Sequence, residues 1–132
     1  MDIEHEKSEI QKTIHLFFVG FDNHDAELIS KAFYSGKAEM FSIRESSGKI
    51  NKTPINNWSK IFESVKSQPN NIWNKERSRK NIVYIDITGL AASAKVEYIF
   101  SAYKYTDYYN LLKIEGQWCI VNKTFDTMFF EQ

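Results

Sequence analysis

The residues with the clearest capacity for chemistry lie near the end of the chain, in the segment TDYYNLLKIEGQWCIVNKTF (106–125). Its Glu-Gly pair predicts a two-residue turn and therefore a β-hairpin, in which alternate residues share a face. On this pattern Tyr108, Asn110 and Lys123 lie together on one face. Hydroxyl, amide and ammonium groups can bind a polar ligand, and a lysine in an apolar pocket can act as a base. A strand lysine more often extends to the pocket rim.

The opposite face of the hairpin offers a different set of polar groups. If that face points toward the interior, Asp107 and Asn122 line the interior instead. A carboxyl group inside an apolar pocket has a raised pKa and can serve as a general acid or base. The sequence favours the face with Lys123 as the inner one, and it leaves the other arrangement open.

Both faces of the predicted hairpin are apolar, although an antiparallel sheet with one wetted side should show only one apolar face. Helices can cover one face, and a second copy of the chain, packed sheet against sheet about a two-fold axis, can bury the other. The face predicted to meet the helices carries Tyr108, Leu112, Ile114, Cys119, Val121 and Phe125. The predicted homodimer interface consists of Tyr109, Leu111, Trp118 and Ile120.

Charge and motifs argue against several other functions. Lys plus Arg and Asp plus Glu both number 17, so no excess of charge indicates nucleic acid or an anionic membrane as a partner. The basic run KERSRK (75–80) is interpreted as the solvated start of a strand. The three histidines lack metal-ligand spacing, and the sequence contains neither a nucleophile elbow nor a phosphate-binding glycine loop. We therefore predict no metal and no cofactor.

Length and composition indicate one globular domain. The chain has 132 residues, of which 42% are hydrophobic and 26% charged, and this is enough for one hydrophobic core. Cys119 is the only cysteine, so no intrachain disulfide can form and the residue is interpreted as a core filler. The polar N-terminal segment and the absence of a long apolar run predict a cytoplasmic protein with no membrane partner.

The order of the predicted elements gives the fold class. Apolar residues at helical spacing predict helices over 4–21 and 26–33, and Thr53-Pro54 is predicted to open a third helix. Strands are predicted over 37–45, 80–88, 92–102, 106–114 and 117–126. Short turns between consecutive strands predict an antiparallel sheet, and helices gathered in the first half predict that they cover one of its faces. The class is α+β.

Several segments resemble one known family in their order and spacing. They are HDAELISKAF (24–33), KAEM (37–40), IDITGLAASAKVEY (85–98) and DYYNLLKIEGQWCIVNKTF (107–125). The chain resembles the nuclear-transport-factor-2-like superfamily, and within it the small bacterial proteins called SnoaL-like or "putative lumazine-binding". The resemblance implies a single domain over 1–132 with a cone-shaped, cystatin-like fold, in which three N-terminal helices pack on a curved antiparallel sheet. It also implies frequent homodimers and a pocket at the wide end of the cone.

The function that the resemblance implies is broad, because members include isomerases, cyclases, dehydratases and domains without known catalysis. We predict a pocket that binds a small hydrophobic or aromatic ligand. The alternative is an enzyme using Tyr108, Lys123 or Asp107 as acid or base, and a third reading is an assembly module filled by its own aromatic rings. Asn110 lies near the position where isomerases of the superfamily carry an acid, and an amide cannot transfer a proton. The predicted pocket residues are Phe21, Met40, Trp58, Tyr98, Phe100, Tyr108, Asn110 and Lys123.

Overall fold

A computed structural model describes residues 2–34, 38–44, 47–54, 58–66, 79–100 and 103–129. Its helices are α1 (Ile3–Asp22), α2 (Ala26–Ser30) and α3 (Trp58–Lys66). Its strands are β1 (Glu39–Arg44), β2 (Lys49–Pro54), β3 (Arg79–Thr88), β4 (Ala91–Phe100), β5 (Tyr103–Ile114) and β6 (Gln117–Phe129). They form one sheet in the order β2-β1-β6-β5-β4-β3, in which only the β1–β6 pair is parallel. The predicted α+β class is confirmed. None of the helices in the described part of the chain is long and apolar enough to cross a membrane.

Helix α1 forms the layer that covers the sheet. Asp2 caps its start by accepting hydrogen bonds from the backbone N–H groups of Glu4 and His5, which satisfies amides that have no partner in the helix. The apolar stripe of α1 is buried against the sheet and comprises Ile10, Ile14, Phe17, Phe18 and Phe21. The spacing that predicted this helix therefore also identified its core face.

A short loop joins α1, which ends at Asp22, to α2, which begins at Ala26. The Asp25 carboxylate accepts from the Leu28 N–H at 3.0 Å and caps the start of α2. The second helix was predicted to reach residue 33 and ends at Ser30 instead. Phe33 leaves the helix because it forms a β-bridge with Ile120 of β6.

The close contact between these two helices depends on Gly20. A Cβ atom added at Gly20 would lie 2.6 Å from Ile29 Cγ1 and 3.0 Å from the Asp25 carbonyl oxygen. We expect Gly20→Ala to lower the free energy of unfolding by about 1–3 kcal/mol, because overpacking outweighs the gain in helix propensity. Urea unfolding measures this effect, with Ser8→Ala on the exposed side of α1 as the control. A Gly20→Ala variant as stable as the wild type would show that the helices can separate at little cost.

The prediction for the middle of the chain was wrong at Thr53-Pro54. These residues do not open a helix; they end strand β2, where they pair with Met40 and Glu39 of β1. The third helix begins at Trp58. Strand β2 shows no alternation of apolar and polar residues because it lies at the sheet edge and is paired only with β1. The segment 67–71 and most of the basic run 75–80 lie outside the described residues.

The C-terminal hairpin turns where the sequence predicted, but its faces are reversed. Glu115 and Gly116 both have positive φ, 49° and 82°, as a two-residue turn of this hand requires. The side chains of Tyr109, Leu111, Trp118 and Ile120 are buried against α1 and the rest of the core. The opposite face, with Tyr108 and Leu112 more than 40% exposed, points to solvent. The assignment of the Tyr108 face to the helices was therefore wrong.

A β-bulge changes which face the end of β6 presents. Asn110 pairs with Asn122 and Leu111 with Ile120, so Val121 is an extra residue with no counterpart in β5. One extra residue reverses the alternation of side chains beyond it. Lys123 consequently lies opposite Tyr109 rather than Tyr108, and it points inward on the same face as Ile120.

The reversal also removes the predicted dimer interface. Tyr109, Leu111, Trp118 and Ile120 are each at most 4% exposed within a single subunit, so they cannot form a contact with a second copy. Dimerisation itself stays a prediction.

A polar clamp holds α1 to the hairpin. Glu6 Oε1 accepts hydrogen bonds from Lys113 Nζ at 2.8 Å and from Trp118 Nε1 at 2.9 Å. These two bonds lower the pKa of the Glu6 carboxyl below its usual value. Thr13 Oγ1 donates to the Trp118 carbonyl oxygen at 2.9 Å. These hydrogen bonds explain why Glu6 is buried, whereas the other charged residues at the start of α1 are at least partly exposed.

Candidate functional site

The interior between α1 and the concave face of the sheet contains a buried ion pair. Lys123 Nζ lies 2.8 Å from Asp107 Oδ2, and the two residues are 1% and 0% exposed. Asp107 lies on β5, two residues before Tyr109, and Lys123 lies opposite Tyr109 on β6. The bulge at Val121 brings the two charges onto one face, since without it they would alternate to opposite sides.

Two tyrosines complete the polar part of the cluster. Tyr98 Oη and Tyr109 Oη donate to Asp107 Oδ2 at 3.3 Å and 3.2 Å. Burial, followed by the negative charge of Asp107, raises the pKa of both hydroxyls well above the usual value of a tyrosine. Both hydroxyls therefore stay protonated at neutral pH and act as donors. Asp107 Oδ2 accepts from these two hydroxyls and from the Lys123 ammonium.

Aromatic rings surround the lysine. Lys123 Nζ lies 4.7 Å from the ring centroid of Phe17, 4.9 Å from that of Phe125 and 5.6 Å from that of Trp58. Ring faces attract a cation, and they do so more strongly where water is excluded. The Phe17 ring also contacts those of Tyr98 and Tyr109. The ammonium is thus held by one carboxylate and three ring faces.

Two polar atoms of this interior have no hydrogen-bond partner among the described residues. They are Asp107 Oδ1 and Trp58 Nε1. Leaving a buried donor or acceptor unpaired costs about 1–3 kcal/mol, and more for a charged group. One atom is an acceptor and the other a donor, and both belong to residues that contact Lys123. A bound group that donates to the carboxylate and accepts from the indole would satisfy both.

The structure divides the predicted pocket residues into two groups. Those that lie in the interior are Phe21, Met40, Trp58, Tyr98 and Lys123. Tyr108 and Asn110 lie on the outer face, where the Asn110 amide donates to Asn122 Oδ1, so their placement in the pocket was wrong. The side chain of Phe100 lies outside the described residues.

Asp107 is the member of the candidate site that the favoured arrangement of the hairpin missed. The alternative arrangement placed it inside together with Asn122, whereas the structure places Asp107 inside and Asn122 at the outer face. Each arrangement thus identified one member of the ion pair. The available signal was the segment Asp-Tyr-Tyr, in which an acid shares a strand face with a large ring two residues later.

Five cavities of about 380–790 Å³ open on the surface of the described structure, and neither Asp107 nor Lys123 lines any of these five. One of about 420 Å³ lies between α1 and the hairpin turn, and one of about 790 Å³ lies on the outer face of the sheet. Within the described ranges, no three His, Cys, Asp or Glu side chains are grouped so that they could bind a metal ion.

Solved structures with the same fold cover nearly the whole chain. A nuclear-transport-factor-2-like protein of unknown function from Shewanella baltica is 26% identical with a TM-score of 0.83, over 97% of this chain and 98% of its own. A similar protein of unknown function from Silicibacter pomeroyi is 16% identical with a TM-score of 0.77, over 97% and 100%. A third, from Methylobacillus flagellatus, is 23% identical with a TM-score of 0.75, over 97% and 95%.

The search of curated proteins found no match. The sequence itself matches a family over residues 5–126, and that family is described as "Putative lumazine-binding". With the helix order, the curved sheet and the structural matches, this shows that the chain belongs to the "Putative lumazine-binding" family of nuclear-transport-factor-2-like proteins.

Proposed function

We propose that the protein binds a small planar molecule beside the Asp107–Lys123 pair, in a space that opens when the ligand enters, because neither residue lines any of the five surface cavities. The observation that carries this proposal is the pair of buried polar atoms, Asp107 Oδ1 and Trp58 Nε1, that lack partners among the described residues. An apolar enclosure with a few placed polar groups is typical of small-molecule sites. Here the aromatic rings supply the apolar walls, and the carboxylate and the indole supply the polar groups.

The chemistry of these two atoms defines the ligand. The carboxylate oxygen needs a donor and the indole N–H needs an acceptor, so the ligand carries both an N–H or O–H group and a carbonyl or ring nitrogen. Flat rings suit an interior lined by aromatic side chains. Lumazine, which the family description names, is a pteridinedione with N–H and C=O groups along one edge. It therefore belongs in any panel of test compounds, together with flavins, other pterins, steroids, polyketides and fatty acids.

Buried water molecules can supply the same hydrogen bonds. A ligand that displaces such a water gains affinity only if it reproduces those bonds. This requirement makes the predicted ligand polar at one edge and explains why a purely hydrocarbon molecule should bind less well.

A thermal-shift screen of that panel tests the proposal. Saturation at 100 times the Kd stabilises the native state by about 2.7 kcal/mol, which we expect to raise the Tm by about 5–10 °C. Trp58→Phe removes the N–H and keeps an aromatic ring, and we expect it to weaken binding about tenfold. Tyr108→Phe on the outer face is the matched control and should bind as the wild type does. A ligand that stabilises Trp58→Phe and Asp107→Asn as much as the wild type does, or a panel without any hit, would contradict the proposal.

The second candidate is an enzyme of the isomerase, cyclase or dehydratase kind. It is favoured by the same unpaired oxygen, because a carboxylate in an apolar enclosure can accept a proton from a bound substrate. A ligand found in the screen can be incubated in D2O with the wild type and with Asp107→Asn. Deuterium incorporation that requires Asp107 indicates catalysis, whereas binding without incorporation indicates a binding protein.

A further inference from the structure

The end of β6 has a strand neighbour on only one side in the described structure. β5 pairs with β6 as far as Phe129, whereas β1 pairs with β6 only over residues 122–124. β1 then continues to Arg44 as the partner of β2. Residues 42–44 of β1 and 125–129 of β6 therefore diverge and leave a gap in the sheet, which we call the β1–β6 fork.

Backbone groups of β6 face this fork. The Thr127 N–H donates to Asp126 Oδ1 at 2.9 Å. Alternate residues of a strand direct their backbone groups to opposite neighbours, so the row that includes Thr127 points away from β5. Such an open edge is a template for another extended chain. In the described structure the Asp126 carboxylate accepts the hydrogen bond that a strand partner would otherwise accept from Thr127.

The walls of the fork are apolar and carry one charge. Two cavities of about 380 and 410 Å³ flank the gap and share Ser42, Ile43, Phe125 and Asp126. Ile43 of the fork and Ile50, its partner on β2 and a lining residue of one cavity, are 57% and 71% exposed. Asp126 is the only charged residue among those that line the two cavities. An occupant that matches this surface is apolar and has a single basic group.

We propose that the β1–β6 fork binds an extended peptide segment of a partner protein, which adds a strand to the free edge of β6. Strand addition takes its affinity from backbone hydrogen bonds and its specificity from side-chain pockets. Five strand residues span about 17 Å, which corresponds to 125–129. A lysine or arginine of the segment faces Asp126. One end of the fork is closed by the pairing of β1 with β6, so a single extended segment enters more readily than the sheet of a second copy.

Fluorescence anisotropy with a labelled synthetic peptide, TVKVTV, tests this proposal. Thr127→Pro removes the backbone N–H at the open edge, where a proline does not disturb the pairing with β5. We expect it to weaken binding at least about tenfold. Leu90→Ser, at an exposed apolar position in the turn between β3 and β4, is the control and should bind as the wild type does. Circular dichroism establishes that both variants are folded.

A charge exchange provides a second test that does not depend on the proline variant. Replacing the peptide lysine by glutamate should weaken binding to the wild type about threefold, and Asp126→Lys should restore it. The proposal is overturned if the wild type does not bind the peptide, if Thr127→Pro and Leu90→Ser bind it alike, or if the charge exchange has no effect. Sedimentation provides a further outcome that overturns it. If the wild type is a dimer that does not bind the peptide, and if Thr127→Pro converts this dimer to a monomer, then a second copy of the chain occupies the fork.

Discussion

Replacing Lys123 by methionine will lower the free energy of unfolding by about 3–5 kcal/mol. The reason is the position of Asp107, which is 0% exposed and receives its only ammonium contact among the described residues from Lys123. Without that ammonium the carboxylate keeps two tyrosine hydroxyls as donors. Two neutral donors do not replace the attraction of a full positive charge at 2.8 Å in a buried interior.

Lys104→Met is the matched control for this variant. Lys104 Nζ lies 2.9 Å from Glu97 Oε2, a distance similar to that between Lys123 and Asp107. Both side chains of the Lys104–Glu97 pair, however, are partly exposed to water. Partly exposed pairs contribute at most about 1 kcal/mol. Urea unfolding of the two variants should therefore separate them by several kcal/mol. Equal losses would show that water reaches the Lys123 ammonium.

Stability will fall steeply above about pH 10, and Tyr98 and Tyr109 will account for much of the slope. Burial raises the pKa of both hydroxyls above the value near 10.0 that they have in the unfolded chain. The unfolded chain therefore releases these protons first as the pH rises. The stabilisation is complete below pH 10 and is lost between there and the folded pKa, and each tyrosine contributes about 1.4 kcal/mol per pH unit.

Urea unfolding at several pH values above 10 measures this slope. Tyr98→Phe and Tyr109→Phe should each reduce it by about 1.4 kcal/mol per pH unit, even though each also loses a hydrogen bond to Asp107 at neutral pH. Tyr108→Phe, whose ring lies on the outer face, should leave the slope unchanged. If all three variants keep the slope of the wild type, the hydroxyls of Tyr98 and Tyr109 ionise as freely in the folded protein as in the unfolded chain.

The elements that the sequence predicted are those whose signals are local. Period-3.6 spacing identified α1 and the start of α2, and the Glu-Gly pair identified the hairpin turn. Strand β2 was missed because both of its faces are polar or exposed at the sheet edge. There Thr53-Pro54 resembles a helix start as closely as it resembles the end of a strand.

The site was only partly predictable because its geometry depends on a bulge. Alternation assigns side chains to the correct face only while the strand register is continuous. The bulge at Val121 is not marked by a glycine or by any other local sequence signal. Tyr108 and Asn110 were therefore assigned to the wrong side. Lys123 was assigned to the inner side correctly because two errors offset each other. The wrong face of the hairpin was placed inside, and the bulge at Val121, which reverses the face beyond it, was not foreseen. Asp107 on β5 contacts Lys123 on the neighbouring strand β6. Only the register between the two strands shows that these residues meet.

The most direct test of the account is a double-mutant cycle that combines Asp107→Asn with Lys123→Met. The central claim is that these two side chains interact with each other inside the fold and form the polar centre of the candidate site. The account predicts that the double variant is more stable than the sum of the two single losses implies, with a coupling energy of about 2–3 kcal/mol at pH 7. A coupling below about 0.5 kcal/mol, the level expected of independent sites, would contradict the claim.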